Sequence, residues 1–335
     1  MNGIELARRY YEQVVAPLIL DRWPGLPHAA GRLGSGSDVL GLDDATSRDH
    51  DWGLRLALLV EQPYVDQVRD HLEQALPARF EGWPTRFGMT RSPARTHQVQ
   101  VDTAEAFAAS RLGVAVDRPW TAADWLSVRA QAVLEVTAGA VFADTSGAIT
   151  ALRQRLRWYP EDVWRHVVAV DWTLIGEELP LYGRAASRGD ELGAALIAAR
   201  IAHSAMHLGF LLERRWPPYA KWFGTCFAAL PTATAVAPAL RVALGTAAWQ
   251  DRQAALSSAL TDLHRLQETV GLPGGTQAVE PFHDRPFLGV HPSVVTALRA
   301  AITDPQVQAL PPGRGSVDQR FSSATVHLEV GTARS

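Results

Sequence analysis

Asp49 and Asp51, in the stretch SRDHDWGLRLALLV, carry the strongest chemical signal of the chain. Residues at i and i+2 of a strand point to one face, so two carboxylates at this spacing can grip divalent cations side by side. Oxygen ligands of this kind suit magnesium. His50, between them, is expected to face the other way. Ahead of the pair lies LGSGSDVLG, with Ser37 twelve residues before Asp49. A Gly-Ser turn of this type lets backbone N–H groups and a hydroxyl approach a polyphosphate where larger side chains would block it, which makes Gly36 and Ser37 candidate phosphate contacts. Together these groups fit displacement at a nucleoside triphosphate, a reaction that uses two metal ions about 4 Å apart.

Such residues need a rigid frame, and the flanking pattern supplies one. Apolar residues at helical spacing over 4–20 predict an opening helix. Short apolar runs at 29–33 and 54–60, the second apolar except for Arg55, read as strands separated by the loop 34–48. A helix is expected over 65–76, then an alternating strand over 97–101 that leads into Asp102. By position Asp102 suits the N-cap of the helix 103–112 that Gly113 ends. From Thr121 the pattern changes to long helices. Thr121 and Asp124 form a capping-box pair, Pro160 opens a helix to about Glu178, Asp190 caps one over 191–216, and another spans 249–270. A Gly- and Pro-rich tail with a helix at 292–302 follows. The expected class is α+β, with a small mixed-sheet domain over residues 1–115, a helical-bundle domain over 116–271 and a wrapping C-terminal tail over 272–335. Domain pairs of this sort commonly bind ligands in a cleft.

Composition narrows the function classes. With 335 residues, 47% hydrophobic and 20% charged, the chain can form packed cores and is too apolar to be disordered. A net charge of -3 without any basic block disfavours a polynucleotide partner. Glu5 and Glu12 interrupt what would otherwise have to be a signal peptide, and the uncharged stretch 223–240, broken by Pro231 and Pro238, falls short of the roughly 20 apolar residues that span a bilayer, so it is expected in the protein interior with no membrane partner. Cys226 is the one cysteine and has no intramolecular partner, which fits a reducing cytoplasm. Lys221 is the sole lysine among 32 basic residues. A lysine kept amid arginine is a candidate for a task that suits a compact ammonium.

The Gly-Ser turn, the loop of this length and the Asp-x-Asp strand start resemble the DNA polymerase beta-like nucleotidyltransferase superfamily. Within it, the chain looks closest to a bacterial family of uncharacterised nucleotidyltransferases with a helical C-terminal domain, through GSGSDVLGLDDATSRDHDWG, ALRQRLRWYPEDVW, YGRAASRGDELGAALIAARIA, PYAKWFG and FHDRPF. The resemblance implies a metal-dependent enzyme that moves a nucleoside monophosphate, AMP being the expected one, from ATP or another NTP to an acceptor. Asp49 and Asp51 would hold two magnesium ions, Asp102 would complete the set, and Lys221 would hold the triphosphate. The weak negative charge favours a small-molecule hydroxyl or amine as acceptor. A protein side chain is the second acceptor class, and a non-catalytic nucleotide-binding protein of the same fold is the rival reading.

Other residues have plainer readings beside the functional ones. Asp38, Asp43 and Asp44 suit turn formation. Arg184 and Arg188 flank a turn before a helix N-terminus, where an acidic ligand can sit, although a capped turn explains the same residues. Tyr219 and Trp222, beside Lys221, can stack on a nucleobase or close a core. His203 and His207 share a helix face at a zinc-compatible spacing, yet their small and apolar neighbours read as a packed core or cleft. Glu177 and Glu178 read as a solvated helix end.

Overall fold

In the computed structural model the described residues are 2–44, 46, 52–90, 92–245 and 248–320. Asp49, His50 and Asp51 lie outside them. The opening helical segment comprises α1 (Gly3–Tyr10), a π-helical turn (Tyr11–Val15) and α2 (Ala16–Arg22). The Asn2 side chain caps α1 by accepting the Glu5 N–H at 2.8 Å. Its apolar stripe of Leu6, Tyr10, Val15 and Ile19 is fully buried.

That stripe packs on a sheet built from β1 (Ala29–Gly31), β2 (Arg55–Leu59), β5 (Arg86–Met89), β6 (Ser92–Asp102) and β7 (Val141–Asp144), in the order β5-β6-β2-β1-β7. A two-stranded hairpin of β3 (Arg79–Phe80) and β4 (Trp83–Pro84) precedes β5. β2 and β6 run parallel, with Arg55 opposite Gln98 and Leu59 opposite Asp102; the other pairs in the sheet are antiparallel. The parallel pair requires a crossover, which α3 (Val65–Ala75) supplies. Leu54, Leu56, Leu58 and Val60 join the core beneath α1 to α3, together with Val99 and Val101. Alternation then turns Arg55, Gln98 and Gln100 to the opposite face.

The chain separates into two compact units, residues 1–119 with 132–157 and residues 120–131 with 158–335. The first unit extends beyond the expected 1–115 because β7 returns to pair with β1. It also holds α4 (Ala104–Leu112) and α7 (Ala148–Arg155), while α5 (Ala122–Ser127) and α6 (Ala130–Thr137) lie near the points where the chain passes from one unit to the other. The fold class is α+β, as expected.

The second unit is centred on α8 (Glu161–Ala186) and α9 (Glu191–Leu212). α8 runs through Pro180 and past Glu178, because Leu179, Tyr182, Gly183 and Ala186 continue its buried stripe. Burial of that stripe outweighs the hydrogen bond that proline forfeits. Around this pair lie α10 (Ala220–Ala228), α11 (Pro231–Ala243) and α12 (Trp249–Thr269), then the hairpin of β8 (Val279–Pro281) and β9 (Leu288–Val290), and α13 (Pro292–Ala300), α14 (Pro305–Gln308) and α15 (Val317–Arg320). The segment after 272 docks on α8: Asp162 accepts the N–H groups of Thr303 and Asp304, and Gln319 donates to the Val167 carbonyl and to Asp171. By length and composition α9 is able to cross a membrane, and 56% of its apolar window is buried within the fold. α10 and α11 pass the same test together, bent by 111° between them. In stretch 223–240, Phe227, Leu230, Val236 and Leu240 are buried and Gly224, Ala228 and Thr234 exposed.

Candidate functional site

The loop after β1 is built around a buried guanidinium. Arg32 is 1% exposed and meets the Asp38 carboxylate with two hydrogen bonds, Nε to Oδ2 at 2.6 Å and Nη2 to Oδ1 at 2.8 Å. Its remaining donors bind the loop backbone, at the Leu33 carbonyl (2.7 Å) and the Ser35 carbonyl (2.8 Å). Asp38 is therefore not a plain turn former: it holds the ion pair around which residues 33–38 close. Gly36 sits inside this closure at φ +134°, and a Cβ there would lie 2.3 Å from the Asp38 carboxylate and 2.5 Å from the Arg32 guanidinium. Only glycine fits. Ser37 begins the short 3-10 turn Asp38–Leu40, and its carbonyl accepts from Leu40 and Leu42. Asp43 fastens the far side of the loop to α1 by accepting the Gly3 N–H at 2.8 Å.

Beside the loop lies a cavity of about 530 Å³, lined among others by Arg32, Ser35, Arg55, Gln98, Gln100 and Arg111. Arg55 donates to the Ser35 hydroxyl at 3.0 Å. Arg111 donates to Gln100 at 2.8 Å and lies 3.5 Å from the Glu135 carboxylate. The lining holds three arginines and one glutamate; Arg32 is paired with Asp38 and Arg111 faces Glu135. His97 also lines it. Burial pushes its imidazole below the ordinary value and outweighs the opposing pull of Glu73, whose carboxylate lies 3.3 Å from Nε2. The wall thus offers the guanidinium groups of Arg55 and Arg111 and the Ser35 hydroxyl. This combination suits a polyphosphate.

The candidates from the sequence fall at different places. Gly36 and Ser37 belong to the loop beside this cavity. Asp102 does not: it ends β6 opposite Leu59, whereas the chain enters β2 at Arg55, opposite Gln98. Four residues of strand separate the two ends, about 13 Å. There Asp102 accepts the Thr103 N–H at 3.0 Å, while Thr103 itself caps α4 by accepting the Ala106 N–H at 3.0 Å. Among the described residues no three carboxylate, histidine or cysteine side chains gather as a metal site, and Asp49 and Asp51 lie outside those residues.

Tyr219, Lys221 and Arg184 belong to the helical unit. Lys221 is exposed in the first turn of α10, its ammonium 4.9 Å from the centre of the Trp222 ring. Tyr219 caps α10 and lines a different cavity, described below. Arg184 is exposed in the last turn of α8 and lines neither cavity. Sequence reading passed over Arg32, Arg55 and Arg111. Arg55 had a visible signal, as the one charge in an apolar strand. Arg32 had none beyond its place at the end of β1.

A family model described as a domain of unknown function, DUF4037, matches residues 125–223. No curated protein matches the chain. Among solved structures, a nucleotidyltransferase-like protein from Exiguobacterium sibiricum 255-15 is similar over 81% of this chain and 76% of that one, with 16% identity and a TM-score of 0.33.

Proposed function

We propose that the first unit binds a nucleoside triphosphate and transfers its nucleoside monophosphate, AMP in the first instance, to a small-molecule hydroxyl or amine with release of pyrophosphate. The observation that carries this reading is the arginine-lined cavity beside a loop in which Gly36 leaves no room for a side chain. Arg55, Arg111 and Ser35 would bind and orient the phosphates by charge-assisted hydrogen bonds. Arg32, already paired with Asp38, would keep the loop in shape. Magnesium, held by Asp49 and Asp51, would supply charge neutralisation at the reacting phosphate. Asp102 is left out of this set because of its place at the other end of the strand pair.

The test is pyrophosphate release from magnesium-ATP in the presence of an acceptor panel of amino sugars, polyols and proteins. Release is expected to be lost in Asp49→Asn and Asp51→Asn and to persist in Asp102→Asn. Equal activity in wild type and both aspartate variants would overturn the metal assignment. A labelled protein in place of a labelled small molecule would move the acceptor to the protein class.

A second reading, nucleotide binding without turnover, draws on one observation. The β6 residues that line this cavity, His97, Gln98, Val99 and Gln100, include no carboxylate. Tight magnesium-ATP binding with no pyrophosphate across the whole panel would favour it.

A further inference from the structure

A second cavity, of about 440 Å³, lies wholly within the helical unit. Its surface is mainly apolar, with Met206, Pro218 and Phe223, and its titratable members include Arg129, His203, His207 and Asp318. Arg129 is 5% exposed, and its Nε and Nη2 have no hydrogen-bond partner among the described residues. Asp318, in the same wall, supplies a nearby countercharge, but the two buried donors stay unused, which is costly unless something meets them. His207 opens on the same cavity. Its Nδ1 lies 2.7 Å from Asp171 Oδ2, and the other Asp171 oxygen accepts from Gln319 at 2.7 Å, so the imidazole is fixed with Nε2 left for other contacts. His203, one turn earlier, stacks on Phe223 with 4.9 Å between ring centres. Asp171 is 1% exposed and interrupts the apolar run VVAVDWTLI of α8, a place where a polar side chain is costly unless partnered, and His207 and Gln319 are its partners.

We propose that this cavity is a binding site for a small organic monocarboxylate, whose acid group pairs with Arg129 and hydrogen-bonds His207, and whose apolar body lies against Met206, Pro218 and Phe223. The guanidinium fork matches a carboxylate with two parallel hydrogen bonds. A dianionic phosphate is disfavoured because the Asp318 carboxyl, tied to the Ala130 N–H at 2.7 Å, lines the same cavity. The mainly apolar wall of the cavity suits a single ring or short chain rather than a polyphosphate. The site stands on its own residues and does not depend on nucleotide chemistry in the first unit.

The methionines give a direct test with the full chain. Of the three, Met206 lines this cavity and Met89 lines the arginine-lined one. With isotope-labelled methionine methyl groups, phenylpropionate is expected to move the Met206 resonance saturably and leave that of Met89 in place. Phenylpropanol, which keeps the body and lacks the acid, is expected to act at least tenfold more weakly, a ratio typical of losing one charge-assisted pair. Arg129→Leu is expected to weaken phenylpropionate by a similar factor, with Arg129→Lys between. If Arg129→Leu does not fold, the comparison of acid with alcohol on the wild type decides. Equal shifts from acid and alcohol would overturn the role of Arg129, tighter binding of phenyl phosphate would overturn the monocarboxylate class, and an unmoved Met206 with all probes would overturn the site. Magnesium-ATP acting on Met89 alone would leave the two proposals independent.

Discussion

At the scale of single residues, the loop of residues 33–38 depends on a buried ion pair and a glycine. A charge left alone in such a place costs about 3–5 kcal/mol, whereas replacing both members by apolar groups is far milder. Arg32→Met and Asp38→Leu are each expected to lower unfolding stability in urea by that amount, and the double variant by clearly less than the sum of the two. Gly36→Ala is expected to destabilise the protein by a few kcal/mol and to weaken magnesium-ATP binding at least tenfold, since the added carbon meets both members of the pair. Urea unfolding and calorimetric titration measure the two effects. Wild-type affinity in Gly36→Ala would mean that the loop does not touch nucleotide.

A pH effect belongs to the same scale. Burial disfavours charge on His207, but the charge of Asp171 and its hydrogen bond outweigh this, and the folded pKa is raised. A group raised above its unfolded value, about 6.5, stabilises the fold fully below that pH, and the contribution fades as pH rises through the folded value. This contribution, read as the difference between wild type and Asp171→Asn, is therefore expected to fall on the alkaline side of about 6.5, while His97, His166 and His203, each lowered by burial, contribute with the opposite sign. Asp171→Asn is expected to remove that slope as well as lower stability overall, since the raised pKa needs the carboxylate charge. Thermal unfolding across pH 6 to 9 checks the sign, and a slope unchanged in Asp171→Asn would place its origin elsewhere.

At the scale of elements, the outcome separates what a pattern states from what pairing adds. The run after Trp52 was legible as a strand because every residue of 54–60 except Arg55 is apolar, and the long helices were legible from their stripes and caps. β7 was not, because four residues of VFAD carry too short a pattern and its partner β1 lies more than a hundred residues away in sequence. The short strands β3 to β5 escaped for the same reason of length. Asp102 shows the limit most clearly. Its place at a strand end was read correctly, but only the parallel register with β2 reveals which end that is. The Gly-Ser turn was legible as a close-approach site from residue type alone, while the arginines that give it charge come from the end of β1, from β2 and from α4, and meet only in the fold. The Asp171–His207 pair belongs with them, contributed by two helices and joined across 36 residues of sequence.

At the scale of the whole molecule, each unit has a cavity of its own, and the two differ in chemistry. The sheet unit presents guanidinium groups around a loop without side-chain bulk, which suits the phosphates of a nucleotide. The helical unit presents one buried guanidinium in an apolar setting, which suits an organic acid. Arg129, Asp171, His203, His207 and Tyr219 all fall within the segment 125–223 that matches the family of unknown function. The central claim concerns the first of the two cavities, and Met89 in its wall reports on it. Titration of the methyl-labelled protein with ATP, with and without magnesium, tests it most directly. A saturable shift of Met89 that magnesium strengthens, and that Asp49→Asn and Asp51→Asn render indifferent to magnesium, is the result expected. A Met89 resonance unmoved by millimolar magnesium-ATP in the folded wild-type protein would contradict nucleotide binding at this site.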